Sequence, residues 1–220
     1  CDEAMPFPLP EDCSAVLERA RGCDVAVIGP GLGRAPETED LVLRLLAGLD
    51  IPVVLDADGI NALSGHIDIL DKRSALTVLT PHEGEFSRLT GCALPVKDRL
   101  SAARDFARSH GCVLVLKGHG TVTTAPDGSA YINTTGNPGM AKGGSGDVLA
   151  GMIAALLGQK HLRKERQEGD NTAELVADAV LYHGRAGDLC AQKLGEYAML
   201  PTDLIEALPE VLREWSEDGM

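Results

Sequence analysis

Short apolar runs alternate with amphipathic stretches along most of the chain. Four runs rich in Val, Leu and Ile lie at 25–28, 53–55, 75–79 and 113–116, and a turn or a helix-like segment follows each of them. Strands that are apolar on both faces and alternate with helices are typical of a parallel sheet covered by helices on both sides. The pattern therefore predicts an α/β fold with a mostly parallel central sheet.

Longer amphipathic stretches with helix-start and helix-stop residues predict helices at 37–49, 99–109, 146–157, 172–194 and 202–215. Between 121 and 134 the pattern changes to two β-rich runs, separated by the turn sequence Pro126-Asp-Gly-Ser129. This combination predicts a β-hairpin. The polar run 160–171 has no apolar face, and we expect it to form an exposed connection between two helices.

The 220-residue chain is 44% hydrophobic and can bury one sizeable core. We expect a single domain over 1–220, with its core at 25–220. The acidic, proline-rich start at 1–24 is expected to be irregular and to follow a missing upstream segment. A formal net charge of −13 disfavours nucleic-acid partners, which need a basic footprint. A few well-placed cations can still hold an anionic nucleotide in an acidic protein.

The cysteines at 1, 13, 23, 92, 112 and 190 include no C-x-x-C pair and have no histidine at metal-ligand spacing. We expect reduced, mostly buried thiols and therefore a cytoplasmic protein. The longest apolar stretch, 148–157, is too short to span a bilayer, and no secretory signal is visible. The sequence thus predicts no membrane partner.

The strongest chemical signal is Asn137-Pro-Gly-Met-Ala-Lys-Gly-Gly-Ser-Gly-Asp147, which runs directly into the apolar stretch 148–157. Glycines let backbone N–H groups approach an anion, and the N-terminus of a helix adds unpaired donors. Phosphate is the expected ligand, and Asp147 is a candidate base beside it. Asp147 could instead be a carboxylate that only stabilises the helix N-terminus, but that interpretation does not explain four glycines.

Four further motifs follow predicted strands, so they would meet at the carboxyl edge of a parallel sheet, where open α/β sheets bind ligands. Gly29-Pro-Gly-Leu-Gly33 is half of a dinucleotide fingerprint or a plain loop. Asp56-Ala-Asp58 positions a ligand or metal, or forms a turn. In Thr80-Pro-His82, the histidine contacts a substrate or starts a helix. Lys117-Gly-His-Gly-Thr121 offers a cation to a phosphate or makes a tight turn.

Taken in order, these motifs resemble the ADP-dependent NAD(P)H-hydrate dehydratases, carbohydrate-kinase-like repair enzymes with the ribokinase-like fold. The resemblance covers roughly 25–212, and its most specific part is 137–151. Ala186-Gly-Asp188, Gly195, Asp203-Leu-Ile205 and Leu208-Pro209 also match the C-terminal pattern of that family. The resemblance implies a ribokinase-like three-layer α/β/α architecture.

The reaction implied by this resemblance is dehydration of the (6S) hydrate of NADH or NADPH, with ADP consumed to AMP and phosphate. The hydroxyl of the hydrate leaves poorly, so it would first be phosphorylated, with Asp147 accepting its proton. The residues implied for the hydrate are Gly33, His82 and Asp147. Those implied for the adenine nucleotide are Lys117, Gly118, His119, Gly120, Thr121, Gly143, Gly144, Ser145 and Gly146.

The resemblance also implies Mg²⁺, held mostly by the phosphates because the sequence shows no obvious carboxylate cluster for a protein metal site. A homo-oligomer, with a tetramer as one option, is the implied assembly. The chain departs from the family where 1–21 cannot supply an upstream strand and glycine segment, in the insertion 160–171, and at Glu83, where a proline is common. We expect the Glu83 change to matter little.

Two other functions remain open. A small-molecule kinase of the same fold, acting on a vitamin precursor or a sugar, would use the same glycine loop and Asp147. The lead-in at 137–142 and Thr80-Pro-His82 favour the dehydratase over this kinase. A nucleotide-binding module without turnover is the third interpretation, and such a module would have no need of Asp147.

Overall fold

The computed structural model describes residues 4–8, 13–162 and 172–218. Its centre is a six-stranded sheet in which the strands lie in chain order. Strands β1 to β4 are parallel, whereas β5 and β6 run antiparallel to their neighbours. The strands are β1 Ala26–Ile28, β2 Val53–Leu55, β3 Thr77–Leu79, β4 Val113–Leu116, β5 Val122–Thr124 and β6 Ala130–Ile132. The predicted mostly parallel sheet and the hairpin are confirmed.

Helices cover both faces of the sheet. Their bounds are α1 Cys13–Ala20, α2 Pro36–Gly48, α3 Asp58–Asn61, α4 Asp68–Asp71, α5 Glu83–Thr90, α6 Arg99–His110, α7 Ser145–Leu162, α8 Thr172–Leu194 and α9 Pro201–Asp218. A single 3₁₀ turn, Pro138–Met140, precedes α7. Glycines in the left-handed conformation end α5 and α6. Within the described ranges, no helix is both long and apolar enough to cross a membrane.

The three layers follow from the alternation of side chains along each strand. In β2, Val53 and Leu55 pack with α2, α5 and α6 on one face of the sheet. Val54, between them, points to the other face and packs with α7 and α8. All three side chains are fully buried, which is why the strand reads as a continuous apolar run. The architecture is therefore the predicted α/β/α sandwich.

The irregular start predicted for 1–24 is wrong over Cys13–Ala20, which forms α1. Cys13, Val16, Leu17 and Ala20 recur at helical spacing and pack on the core beside α2. The prolines and acids of the first twelve residues obscured this short stripe. Helix α5 was likewise absent from the predicted helices. Residues 163–171, most of the predicted exposed connection, lie outside the described residues.

The described cysteines are all free thiols. Cys13, Cys112 and Cys190 are buried, whereas Cys92 is half-buried and Cys23 is exposed. Burial raises the pKa of the Cys112 thiol to about 12, so this thiol stays protonated and unreactive at neutral pH. Most of these cysteines are thus core residues, as expected.

Candidate functional site

Three polar side chains converge at the carboxyl edge of the parallel strands. Asp56 follows β2, Thr80 follows β3 and Lys117 follows β4. The Thr80 hydroxyl donates to Asp56 Oδ1 (2.8 Å), and Lys117 Nζ donates to the same oxygen (2.6 Å). Asp56 is only 1% exposed, so its charge depends on these two donors. The network fixes the Lys117 ammonium group at this edge of the sheet.

The first turn of α7 lies directly against this ion pair. A Cβ atom at Gly146 would lie 3.2 Å from Lys117 Nζ and 3.4 Å from Asp56 Oδ2. The glycine therefore lets the start of the helix approach a cation and a carboxylate. Because the first backbone N–H groups of a helix have no partner within it, this corner combines amide donors, a helix dipole and an ammonium group. Such a corner suits a phosphate.

The four glycines near the start of α7 differ in the constraint that the structure places on each. Gly144 has a φ of +96°, which a residue with a side chain rarely adopts. Gly139 lies so close to the α8–α9 connection that a Cβ would be 2.6 Å from the Glu196 carbonyl oxygen. Gly143 has neither constraint, since a Cβ placed there would have no described atom within 4 Å. Of the four glycines, Gly143 alone is thus without a constraint from the described residues, since Gly146 lies against the ion pair.

Helix α8 anchors the segment before these glycines. Asp188 accepts hydrogen bonds from the Gly136 amide (2.9 Å) and the Asn137 side chain (3.0 Å). Asn137 in turn accepts from the Gly139 amide and caps the 3₁₀ turn. The Lys142 ammonium group donates to the carbonyls of Glu196 and Tyr197, so it secures the backbone instead of standing free for a ligand.

Asp147 is exposed on the first turn of α7. Its side chain makes no hydrogen bond or ion pair among the described residues. It is therefore accessible to a ligand that reaches the helix N-terminus, and its removal would leave no buried partner unsatisfied.

His82 is the N-cap of α5. Its Nδ1 accepts from the amides of Gly84 (3.0 Å) and Glu85 (3.3 Å), and the Glu85 carboxylate accepts from the His82 amide. This reciprocal arrangement is a capping box. The helix-start interpretation of His82 is therefore correct, and the same side chain, 55% exposed, also lines the main cleft. Nδ1 serves the cap and Nε2 lies 3.5 Å from Glu85 Oε1, so a ligand that contacts Nε2 would share it with that carboxylate.

The main cleft has a volume of about 810 Å³, a size typical of small-molecule sites. It brings together most of the predicted site residues, namely His82, Lys117, Gly118, His119, Gly120, Thr121, Ser145 and Gly146. Gly143, Gly144 and Asp147 are not among its lining residues. The predicted nucleotide loop 117–121 is closed by Thr121, whose hydroxyl donates to the Gly118 carbonyl (2.9 Å).

Gly33 lies in a different, smaller cleft of about 190 Å³, which Arg34, Asp58 and Arg88 also line. Its amide donates to Asp58 Oδ2 (2.9 Å), so this N–H group already has a partner inside the protein. Two nearby acids face different surroundings, since Asp56 pairs with Lys117 of the main cleft and Asp58 lines the smaller cleft. Between them, Ala57 has a φ of +49°, an unusual conformation for a residue with a side chain.

His183 of α8 is a further cleft residue, and no motif in the sequence indicated it. It is 9% exposed, lines the main cleft and lies with its Nε2 2.9 Å from the Ser145 carbonyl oxygen, to which it donates. Burial, together with the nearby Lys117 charge, lowers its pKa to about 4. The neutral ring thus holds the start of α7. Val176, Ala179, Val180 and His183 share helical spacing, a pattern that could have indicated its burial.

The lowered pKa of His183 predicts a loss of stability in acid. The unfolded histidine takes up a proton near pH 6.5 and the folded one near pH 4, so the unfolded state binds more protons between these values. The free energy of unfolding should fall by about 3 kcal/mol from this group as the pH drops through that window. Urea unfolding of wild type and His183→Gln at several pH values would measure it. If the free energy of unfolding has the same pH dependence in both proteins, the assignment of this effect to His183 is wrong.

Comparison with known proteins identifies the family of this chain. The family model described as NAD(P)H-hydrate dehydratase, of the carbohydrate-kinase type, matches residues 1–210. The bifunctional NAD(P)H-hydrate repair enzyme of Moorella thermoacetica is 46% identical over 98% of this chain, and that of Escherichia coli is 38% identical over 90%. These matches cover 41% and 36% of the two relatives, so the chain spans about two fifths of their length.

Solved structures give the same result. The ADP/ATP-dependent NAD(P)H-hydrate dehydratase of Bacillus subtilis, co-crystallised with ATP and Mg²⁺, matches 87% of this chain and 66% of its own, with a TM-score of 0.73 and 36% identity. A ribokinase-like protein of Enterococcus faecalis matches 92% of this chain and 67% of its own, with a TM-score of 0.76 and 30% identity. The predicted ribokinase-like fold is confirmed. Because the family model matches nearly the whole length of this chain, the chain belongs to the NAD(P)H-hydrate dehydratase family.

Proposed function

We propose that this chain dehydrates the (6S) hydrate of NADH or NADPH, with ADP as the phosphoryl donor, and so returns a damaged cofactor to use. The observation that carries the proposal is the corner formed by the first turn of α7, Lys117 and Asp56. It joins an anion-binding helix N-terminus, a fixed cation and an accessible carboxylate, Asp147, in a chain of the dehydratase family.

The adenine nucleotide would occupy the main cleft. The loop 117–121 lines one part of it, and Ser145 and Gly146 line the phosphate end. Lys117 would pair with a phosphate oxygen, and the amides of Gly143, Gly144 and Gly146 would hold the transferring phosphoryl group, since the Ser145 amide donates to the Lys142 carbonyl (3.2 Å). The Asp56 carboxylate would orient the Lys117 ammonium group toward that phosphate.

The hydrate would extend from His82 toward Gly33. His82 lines the main cleft and Gly33 the smaller one, and Asp56 and Asp58 contact Lys117 of the first cleft and Gly33 of the second. Since Asp58 already accepts the Gly33 amide, a ligand there would contact the Gly33 backbone in another way, or would displace that bond.

The reaction follows from leaving-group chemistry. Asp147 accepts the proton of the C6 hydroxyl group as its oxygen attacks the terminal phosphoryl group of ADP, and AMP departs. The ring nitrogen then donates its electron pair toward C6, the C6–O bond breaks, and inorganic phosphate leaves. Loss of the proton on C5 restores the double bond of the reduced nicotinamide. Atoms balance as hydrate plus ADP giving NAD(P)H, AMP and phosphate.

Mg²⁺ fits this site as a companion of the phosphates. No group of three or more His, Cys, Asp or Glu side chains in the described residues could hold a metal ion. Mg²⁺ commonly relies on phosphate oxygens and water with one or two carboxylates, and Asp56 lies against the first turn of α7, which carries Asp147. When bound, the ion would neutralise charge on the phosphates.

The test measures recovery of reduced-nicotinamide absorbance from purified NADH hydrate with Mg²⁺, in the presence of ADP, of ATP or of neither. We expect recovery only with a nucleotide, faster with ADP, and one AMP and one phosphate formed per hydrate consumed. Faster turnover with ATP would mean that ATP is the preferred phosphoryl donor, and the proposed dehydration would stand. Nucleotide consumption with a vitamin precursor or a sugar, and no recovery from the hydrate, would favour the kinase and overturn the proposal.

A further inference from the structure

Arg99, the first residue of α6, lies behind the loop 117–121 and binds two of its backbone carbonyl groups together with that of Leu116, the residue before the loop. Nη1 donates to His119 (2.6 Å) and Gly120 (3.1 Å), and Nη2 donates to Leu116 (2.8 Å). We propose that Arg99, together with Glu83, holds this loop in the shape that binds the adenine nucleotide. Both are positioning residues, and the inference rests on the proposed function in taking the ligand of the loop to be a nucleotide.

Fixing these carbonyls also fixes the amides that follow them. A peptide group is planar and almost always trans, so its N–H points away from its C=O. Because the His119 and Gly120 carbonyls point at Arg99, the amides of Gly120 and Thr121 point away from it. Gly120 and Thr121 line the main cleft, whereas Arg99 does not. The guanidinium group therefore orients the loop from behind.

The glycines of the loop explain why it needs such support. Gly118 has a φ of +153° and Gly120 a φ of +64°, conformations that glycine adopts readily but that its flexible backbone does not fix. A Cβ at Gly118 would lie 2.9 Å from Arg99 Nη2, so the loop is in close contact with the guanidinium group. The arginine supplies the rigidity that the glycines lack.

Glu83 balances the charge of Arg99. Its Oε1 lies 3.1 Å from Arg99 Nε, and the two side chains are 31% and 18% exposed. Glu83 also accepts a hydrogen bond from the Val96 amide (3.4 Å). It directly follows His82, so the ion pair connects the His82 end of the cleft to the nucleotide loop. Our expectation that Glu83 matters little does not fit these contacts.

Arginine is the suitable residue because its planar fork presents several donors at fixed angles. A lysine at 99 keeps the charge, but its donors all lie on one nitrogen atom. It therefore cannot reach three carbonyls and a carboxylate together. Arg99→Lys should therefore loosen the loop while retaining the electrostatics of the site.

The test is the dissociation constant of ADP and of ATP with Mg²⁺, measured by calorimetry. Arg99→Lys should raise it on the order of tenfold, as expected for the loss of one or two hydrogen bonds that hold a binding loop. Glu83→Gln should raise it about two- to fivefold, the effect of losing a partly exposed ion pair. Hydrogen exchange at 118–121 should become faster in both variants.

Arg73→Lys is the matched control. The Arg73 guanidinium also donates to three backbone carbonyls, those of Leu46, Leu49 and Ile51, beside the amino end of β2. This variant should lower the melting temperature and leave the dissociation constant unchanged. An equal loss of affinity in Arg73→Lys and Arg99→Lys would indicate general destabilisation and overturn the inference.

The remaining outcomes separate the inference from the proposed function. If wild type binds nucleotide and Arg99→Lys binds it equally well, the inference alone is overturned. If wild type binds neither ADP nor ATP, the proposed function fails and the inference with it. If Arg99→Lys does not fold, Glu83→Gln decides, since unchanged affinity and unchanged loop exchange in that variant overturn the inference.

Discussion

Asp147→Asn should lower kcat by about 10³-fold while the dissociation constant of the nucleotide changes less than about threefold. A positioned general base contributes roughly 10²–10⁴-fold, and asparagine keeps the size of the side chain but cannot accept the proton. Asp147 is exposed and makes no hydrogen bond among the described residues, so no packing is lost. Loss of a charge from the first turn of α7 costs at most about 1 kcal/mol of stability.

Single-turnover assays with saturating ADP and NADH hydrate measure this effect directly. Glu174→Gln is the matched control, because Glu174 is also an exposed acid in the first turn of a helix, α8. If Asp147 only stabilises its helix, both variants should keep nearly full turnover. A large loss of turnover confined to Asp147→Asn supports Asp147 as the general base. Substantial residual turnover in that variant would contradict this role.

The sequence predicted the sheet well because its strands carry a strong local signal. The run at β2 is apolar on both faces, and the structure shows why, since Val53 and Val54 are buried against helices on opposite sides. Helix α8 has the predicted bounds because its apolar stripe continues over many turns. Helices α1 and α5 have only eight residues each and carry too short a stripe to stand out.

The site was predictable where residues follow strands, because parallel topology brings strand ends to one edge. That reasoning placed His82 and Lys117 together, and both line one cleft with Ser145 and Gly146, which the glycine motif indicated. It could not place Arg99 or His183, whose partners lie about 20 and 38 positions away and are set by helix packing. It also could not separate Gly33 from the main cleft, since the sequence does not show that Asp58 holds its amide.

Lys117→Met should destabilise the fold by about 3 kcal/mol. Removing one partner of a buried ion pair leaves the other charge without compensation, and this loss is typically about 3–5 kcal/mol. Asp56 is 1% exposed and would keep only the Thr80 hydroxyl as a donor to Oδ1, while the 21% exposure of the Lys117 side chain favours the lower value. Urea unfolding of the purified variant measures it.

The double variant Lys117→Met, Asp56→Asn separates folding from binding. Asparagine can still accept from Thr80 but carries no charge, so about 2 kcal/mol of the lost stability should return. Nucleotide affinity should not return, because the phosphates would still lack the ammonium group, and the dissociation constant should stay raised by about 10–100-fold. Stability that remains as low as in the single variant would show that the uncompensated Asp56 charge is not the cause. Wild-type affinity in a stable double variant would mean that Lys117 is only a structural partner of Asp56, and the phosphate would then depend on the amides at the start of α7.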